Sequence, residues 1–503
     1  MSKYLIGVDI GTQGTKSIIF NDDFQIIAQS FEESNLISPR PGVVEQDPDE
    51  MYGSVVRTIK DIVEKSGVNT GDIVGIGMDG QMAGIMGVDE NFEAATPYDS
   101  WLDMRCGKYV EEMKRTAGKE IIESAGAPVS YNHGPKIVWW KREHPEVYAK
   151  IKAFVEPCVY CIGRMCELKG EDAYFDYTNL HFTTFADNKN KKWNESLLRE
   201  FDIEKEKMPR IVSPDTVVGH TSKAFESLTG VKAGTPVVAG LGDQAAGCLG
   251  TGIIKPGLIS DSAGTASTFT CCVDSYRADA KHMTMMQMRS AVDGVFTTTA
   301  YIQGGGMGLR WVRDELTGKN PLTYDELSAL AAEIAPGSEG VIFVPHFAGR
   351  VLPNMKLKGS FTGLDWNHNI GHLFRATMES VGYDYKYFLS IVRENYPELK
   401  IEKILCMGGG SKSPVFNQIK ADILGLPYAP LTMEEAALTG SAMAAAKGAG
   451  LCTYEEALAK LPAPKYQLEP NMENHEKYKP YAEVYLEVMD ALKGIYEKEV
   501  YNV

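Results

Sequence analysis

At 503 residues the chain is too long for one hydrophobic core, and two large domains are expected. Its 44% apolar and 23% charged residues are ordinary for a water-soluble globular protein, with no run of 18 apolar residues to span a membrane and no signal-peptide pattern in MSKYLIGVDI. A formal net charge of −16 argues against general binding to nucleic acid, and nine unevenly spaced cysteines read as the reduced thiols of a cytoplasmic protein.

The first thirty residues predict three strands, Tyr4–Val8, Lys16–Phe20 and Gln25–Ser30. The first climbs to one carboxylate, Asp9, and turns through Gly11-Thr12-Gln13-Gly14-Thr15-Lys16. Gly11 and Gly14 are expected at positive φ, which would converge the backbone N–H groups; Thr12, Thr15 and Lys16 add hydroxyls and a cation. This suits a polyphosphate held beside an acid, the alternative being an ordinary polar hairpin. Asp47-Pro48-Asp49-Glu50 then opens a helix that Gly67 ends, and Ile73–Met78 follows as a strand. The order β-β-β-α-β is unlike an alternating dinucleotide-binding domain. Gly75, Gly77 and Gly80 do spell G-x-G-x-x-G, but loop and strand follow where that fingerprint needs a helix. The echo of a P-loop in Gly11–Ser17 fails too, since it enters a strand and lacks Gly-Lys-Ser/Thr.

Cys158, Cys161 and Cys166 have no complementary pair for a zinc site, and their surroundings read as buried strand or helix. The stretch from about Lys141 to Thr229 carries no chemical motif and is expected to form an inserted lobe around the cleft. Gly234–Gln244 is an apolar strand ending on Asp243, before the small, helix-compatible Ala245–Gly250. The opening pattern then recurs: Leu258–Thr268 is again strand and small polar turn, with apolar residues after it. Matching Gly11-Thr12 to Gly264-Thr265 puts Ser262 where Asp9 stands, so two diverged copies of one domain are expected to face each other, only the first keeping the acid. Ile404–Pro414 predicts a strand, a triple-glycine turn and a helix start.

Together these stretches resemble the FGGY carbohydrate kinases, most closely their xylulokinase branch, over essentially the whole chain. The motifs are Asp9-Ile10-Gly11-Thr12 with Gly14-Thr15-Lys16, Gly80-Gln81-Met82, Trp101–Arg105, Gly242-Asp243-Gln244, Ser262–Thr265, Gly304-Gly305-Gly306 before Leu309-Arg310-Trp311, and Gly408–Ser413. The resemblance implies an α/β fold of two ribonuclease-H-like domains, as in actin, sugar kinases and heat-shock proteins. It divides the chain into residues 1–246, with the sugar side and catalytic base, and 247–503, with the nucleotide side. The implied reaction moves the γ-phosphoryl of ATP, with Mg²⁺, to a hydroxyl of a small sugar, most simply a ketopentose such as D-xylulose. Asp243 matches the base and Asp9 the acid near the metal. Gly11, Thr12, Gly14, Thr15, Lys16, Gly264, Thr265 and Gly305 match the phosphate side, and Gly409, Gly410, Ser411 and Asn417 the adenosine side. Gln81, Met82, Ala83, Trp101, Asp103 and Tyr131 match the sugar side. Xylulokinases usually read Gln-Met-His-Gly where this chain has Gln81-Met82-Ala83-Gly84, so unless a residue such as His133 substitutes, another pentulose, a polyol or a sugar acid becomes the alternative. A non-catalytic nucleotide switch is a further alternative, opposed by the presence of both Asp9 and Asp243. The acidic, helical C-terminus from about Glu473 could dock on either domain or on another subunit, which leaves a homodimer open.

Overall fold

The computed structural model describes residues 2–318, 321–347, 356–433, 435–498 and 500. Two mixed sheets of the same plan dominate it. In the first, β1 (Tyr4–Ile10), β2 (Gly14–Asn21) and β3 (Ile26–Glu33) form an antiparallel meander. The helix α1 (Pro48–Ser66) leads into β4 (Ile73–Gly80), which runs parallel to β1. Its ends are those the sequence prescribes: the Asp47 side chain accepts from the Asp49 N–H, Pro48 occupies the first turn, and Gly67 closes the helix at φ +62°. The sheet is completed by β5 (Val217–His220), β6 (Pro236–Val238) and the short β7 (Leu241–Gly242), in the order β5-β6-β4-β1-β2-β3 with β7 also on β4.

The second sheet repeats this. β8 (Leu258–Ala263) pairs antiparallel with β9 (Ser267–Val273), which pairs with β11 (Phe296–Ile302), edged by β10 (Met286–Arg289). On the other side β12 (Lys403–Met407) and β13 (Tyr428–Pro430) add in parallel, giving β10-β11-β9-β8-β12-β13. The expected duplication is therefore present as topology.

Between β4 and β5 stand a lobe with its own core, containing α2 (Gly107–Ala125) and α3 (His133–Glu143), and a further helix, α4 (Pro157–Cys166). α4 carries Cys158, Cys161 and Cys166 into the core of the first sheet beside α1. The two sheets meet through α5 (Asp243–Gly250) and α9 (Ala436–Gly448). Preceding α9 are α6 (Gly305–Leu316), α7 (Ile370–Asn395) and α8 (Pro414–Leu424); α7, α8 and the last helix, α10 (Met472–Tyr496), pack with the second sheet. α9, though late in the chain, covers the first sheet: Leu438, Ala442 and Met443 pack with Leu5, Ile18 and Phe20. Cys248 of α5 reaches the second sheet's core beside Leu258 and Leu405. A cut between residues 246 and 247 thus falls inside α5.

Alternation along β1 and β4 explains the glycines that mimic a nucleotide fingerprint. Every second residue faces α9: Gly7 and Asp9 on β1, and Gly75, Gly77 and Asp79 on β4. A Cβ on Gly77 would lie 2.1 Å from the Ser441 carbonyl oxygen, and one on Gly7 2.6 Å from that of Leu438. The G-x-G spacing serves close helix packing, with the acids at the open end of the same faces.

Candidate active site

Three strands end at one place and deliver three carboxylates. Asp9 and Asp79 stand opposite each other in the parallel β1–β4 register, and Leu241-Gly242 of β7 pairs with Asp79-Gly80 immediately before Asp243 opens α5. The Asp9 and Asp79 carboxyls face one another, and Asp79, fully buried, accepts from the Ser441 hydroxyl of α9 at 2.7 Å. Burial, and then the charge of Asp243, pushes the Asp9 carboxyl up to about 7. Burial and then Asp9 push Asp79 well above the carboxylate range. Burial alone lifts Asp243 to about 6, opposed by the Gln244 N–H, which donates to its Oδ1 at 2.5 Å. Lys16, across the β1–β2 register from Asp9, favours its charged form and pairs with Glu435 at the start of α9. Crowded carboxylates with so little cationic compensation form an oxygen donor set that fits a hard divalent ion. Asp79, Ser441 and Glu435 were not anticipated. A strand ending in a carboxylate, as β1 does, was the available signal for Asp79.

The hairpin turn differs from expectation in three respects. Neither Gly11 nor Gly14 has positive φ. Gly14 is needed because a Cβ would meet the Glu32 carbonyl oxygen at 2.4 Å, and the turn closes by the Gly11 N–H donating to the Gly14 carbonyl at 2.9 Å. The Thr15 hydroxyl is buried against Ser54 of α1 at 2.7 Å, so it braces the domain instead of facing a phosphate. Thr12 is shared with the sugar-side candidates: its hydroxyl accepts from Trp101 Nε1 at 2.8 Å and donates to Gln81 Oε1 at 3.2 Å. Gln81 in turn donates to Gln46 at 2.7 Å, a partner the sequence did not single out.

Of the remaining sugar-side candidates, Met82 packs at Gly242, while Trp101 is half exposed at the rim. Asp103 is completely buried, accepting from the Val44 N–H at 2.8 Å and ion-paired with Arg105, so it shapes the wall without facing a ligand. Ala83 lies in the left-handed region at φ +63°, its carbonyl accepting from buried Lys136, which also binds the Tyr131 carbonyl at 2.6 Å. One cation thereby fixes both loops of that wall. His133 is fully buried, its ring edge-on to Phe175 and against the Gly84 backbone next to Ala83.

On the opposite sheet, the Gly264 and Thr265 carbonyls accept from the Gly306 and Met307 N–H groups at the start of α6, at 3.2 and 2.9 Å. A Cβ on Gly305 would stand 2.1 Å from the Ser267 hydroxyl, so this glycine seats α6 on the turn. Gly408 turns the chain at φ +85°, and Gly409 borders open space. The Ser411 hydroxyl donates to the Gly408 carbonyl, and Asn417, fully buried, donates to the Ser411 carbonyl, both at 2.7 Å. Ser411 and Asn417 therefore hold the loop's shape, and their side chains do not line a nucleotide surface.

A separate group near the start of α7, Glu339, His368 and His372, has metal-ligand side chains within 4.8 Å of each other. His368 accepts the Asp365 N–H at Nδ1 at 2.8 Å, which places its ring proton on Nε2 and opposes a metal there, while His372 Nδ1 lies 3.2 Å from both the Asn369 N–H and the Asn369 side-chain oxygen.

Residues 4–250 match the N-terminal domain of the FGGY family of carbohydrate kinases, and residues 260–449 match its C-terminal domain. The chain belongs to the FGGY family of carbohydrate kinases. It is 25% identical to a gluconokinase of Bacillus subtilis over 99% of this chain and 97% of that one, and 25% identical to a xylulose kinase of the same organism over 98% of each. The crystal structure of ligand-bound xylulose kinase from Lactobacillus acidophilus superposes with a TM-score of 0.91 at 23% identity, covering 98% of this chain and 99% of that one. An FGGY carbohydrate kinase transfers phosphoryl from ATP to a small sugar, and this chain is such an enzyme. Among the described residues no helix is long and apolar enough to cross a membrane.

Proposed function

We propose that the phosphoryl acceptor is a ketopentose such as D-xylulose and that Asp243 is the base that receives the acceptor hydroxyl's proton. The observation that carries this is the convergence of Asp9, Asp79 and Asp243 at three strand ends, with Asp243 alone opening a helix and tuned to about 6. A base near that value is ionised at neutral pH yet retains useful proton affinity. Asp9, with Asp79 behind it, would hold Mg²⁺, which supplies charge neutralisation to the transferring phosphoryl. The Gly11–Gly14 turn and Lys16 position the phosphates from the first sheet, and the turns at Gly264 and Gly409 from the second. Phosphoryl transfer asks mainly for positioning and charge stabilisation, so fixed turns, one base and a cation suffice. Gln81, Met82, Trp101 and Tyr131 line the sugar, within a first unit of residues 1–246; residues 247–503 bind the nucleotide. The reading places the enzyme in the cytoplasm, as nine unpaired thiols suit.

A sugar acid is the second reading, favoured by the gluconokinase relative, which matches at the same 25% identity as the xylulose kinase. An ATP-coupled screen of pentuloses, hexuloses, gluconate and small polyols separates the two. The highest kcat/KM with a ketopentose supports the first, and turnover of gluconate without ketopentose turnover replaces it with the second. No sugar-dependent ATP turnover at all refutes both.

A further inference from the structure

We propose that Thr178, held by Asp176, is a positioning residue that fixes the peptide on which Asp243 stands. This rests on the reading of Asp243 as the base. The 3-10 turn Tyr177–Phe182 is capped by Asp176, whose Oδ1 accepts from the Thr178 N–H at 2.9 Å and also from the Thr178 hydroxyl. Asn179 Nδ2 donates to the other oxygen, Oδ2, at 2.6 Å. With its proton committed to Asp176, the Thr178 hydroxyl presents a lone pair, and it accepts from the Gly242 N–H at 3.0 Å. Asp176, Thr178 and Asn179 are 2%, 0% and 3% exposed, so water cannot replace any of these bonds.

Gly242 is the last residue before the base and the N-cap of α5, and a side-chain hydroxyl satisfies its N–H. The same residue is enclosed on its other side: a Cβ there would lie 2.3 Å from Met82 Cε and 2.9 Å from Asn179 Oδ1. The position of Asp243 relative to the sugar-side Met82 is therefore set by the chain Asp176, Thr178, Gly242. None of these side chains reaches the reacting atoms. Their effect is on where the Asp243 carboxylate sits, and a misplacement of about 1 Å can cost about a hundredfold in rate.

The test compares Thr178→Val, which keeps the shape and removes the acceptor, with Thr178→Ser, which keeps the acceptor. It is run on the full chain with ATP and the best sugar of the screen, with thermal midpoints measured alongside. Thr178→Val is expected to lower kcat about ten- to a hundredfold with both KM values within about twofold, and Thr178→Ser to restore most of it. A wild-type kcat in Thr178→Val, an equal loss in Thr178→Ser, or a loss confined to KM overturns the proposal. Asp176→Asn, which weakens the hold on the hydroxyl, gives the same reading should the valine variant not fold: a severalfold lower kcat supports it and an unchanged kcat overturns it. Asp243→Ala is measured in the same series. Turnover surviving there overturns the base assignment itself, whereas a silent Asp243→Ala beside a normal Thr178→Val overturns only the positioning role.

Discussion

Gly77→Ala places one methyl group where α9 rests on the first sheet. The new Cβ would stand 2.1 Å from the Ser441 carbonyl oxygen, against 3.4 Å for ordinary contact, so helix and strand must part by the difference, 1.3 Å. The obstructing atom is backbone, which cannot rotate aside. Overpacking of this kind costs about 1–3 kcal/mol. A 1.3 Å separation also breaks the 2.7 Å bond from Ser441 to Asp79, leaving a buried polar group unpaired for about 1–3 kcal/mol more. A total of about 2–6 kcal/mol follows from these two effects. Urea unfolding followed by far-UV circular dichroism reads the loss as a lower midpoint. Gly494→Ala is the control: it lies exposed in α10 with nothing within 4 Å of the added carbon, and it should stabilise by about 0.5–1 kcal/mol. A Gly77→Ala midpoint equal to that of the native sequence, or shifts of the same sign in both variants, would refute the packing account.

Asp243→Ala should lower sugar-dependent turnover by about 10²–10⁴-fold while ATP still binds; unimpaired turnover removes Asp243 from the base's role. Because the Asp243 carboxyl sits at about 6 and works ionised, and Asp9, at about 7, holds the cation when ionised, kcat/KM should level off only above about pH 7 and fall steeply below about pH 6. A profile flat down to pH 4.5 contradicts the assignment. Lys16→Met should cost under about 1 kcal/mol of stability, since the Lys16–Glu435 side chains are 24% and 25% exposed. It should nevertheless raise the KM for ATP severalfold, and an unchanged KM would show that Lys16 only tethers α9.

Much of this arrangement could be read from the residues in order. The opening hairpin, the capped helix after Asp47 and the recurrence at Gly264 are local patterns, and the structure contains each. Side-chain direction was harder. Thr15 and Lys16 are adjacent on a strand, so only one can face the cleft; the choice depends on α1, whose Ser54 waits for the hydroxyl of Thr15. Asp79 is hidden in the sequence by Gly75, Gly77 and Gly80, which together mimic a nucleotide fingerprint, although Gly75 and Gly77 make room for α9, a helix far along the chain that no local pattern announces, and Gly80 packs against Cys158 and Ile10. Ser411 and Asn417 are the residue types that contact ligands, yet they fold inward to hold a glycine turn, and only three-dimensional hydrogen bonding distinguishes the two uses.

The covering of the first sheet by α9 also bears on how the protein is made. A ribosome that has released β1 through β7 has produced every strand of that sheet and none of the helix that shields Leu5, Ile18 and Phe20. Until residues 436–448 emerge, that face, with its row of glycines and the polar ends of Asp9 and Asp79, lacks the helix that covers it. The first sheet therefore waits until every strand of the second sheet has been made before its acids are buried and its chemistry is assembled.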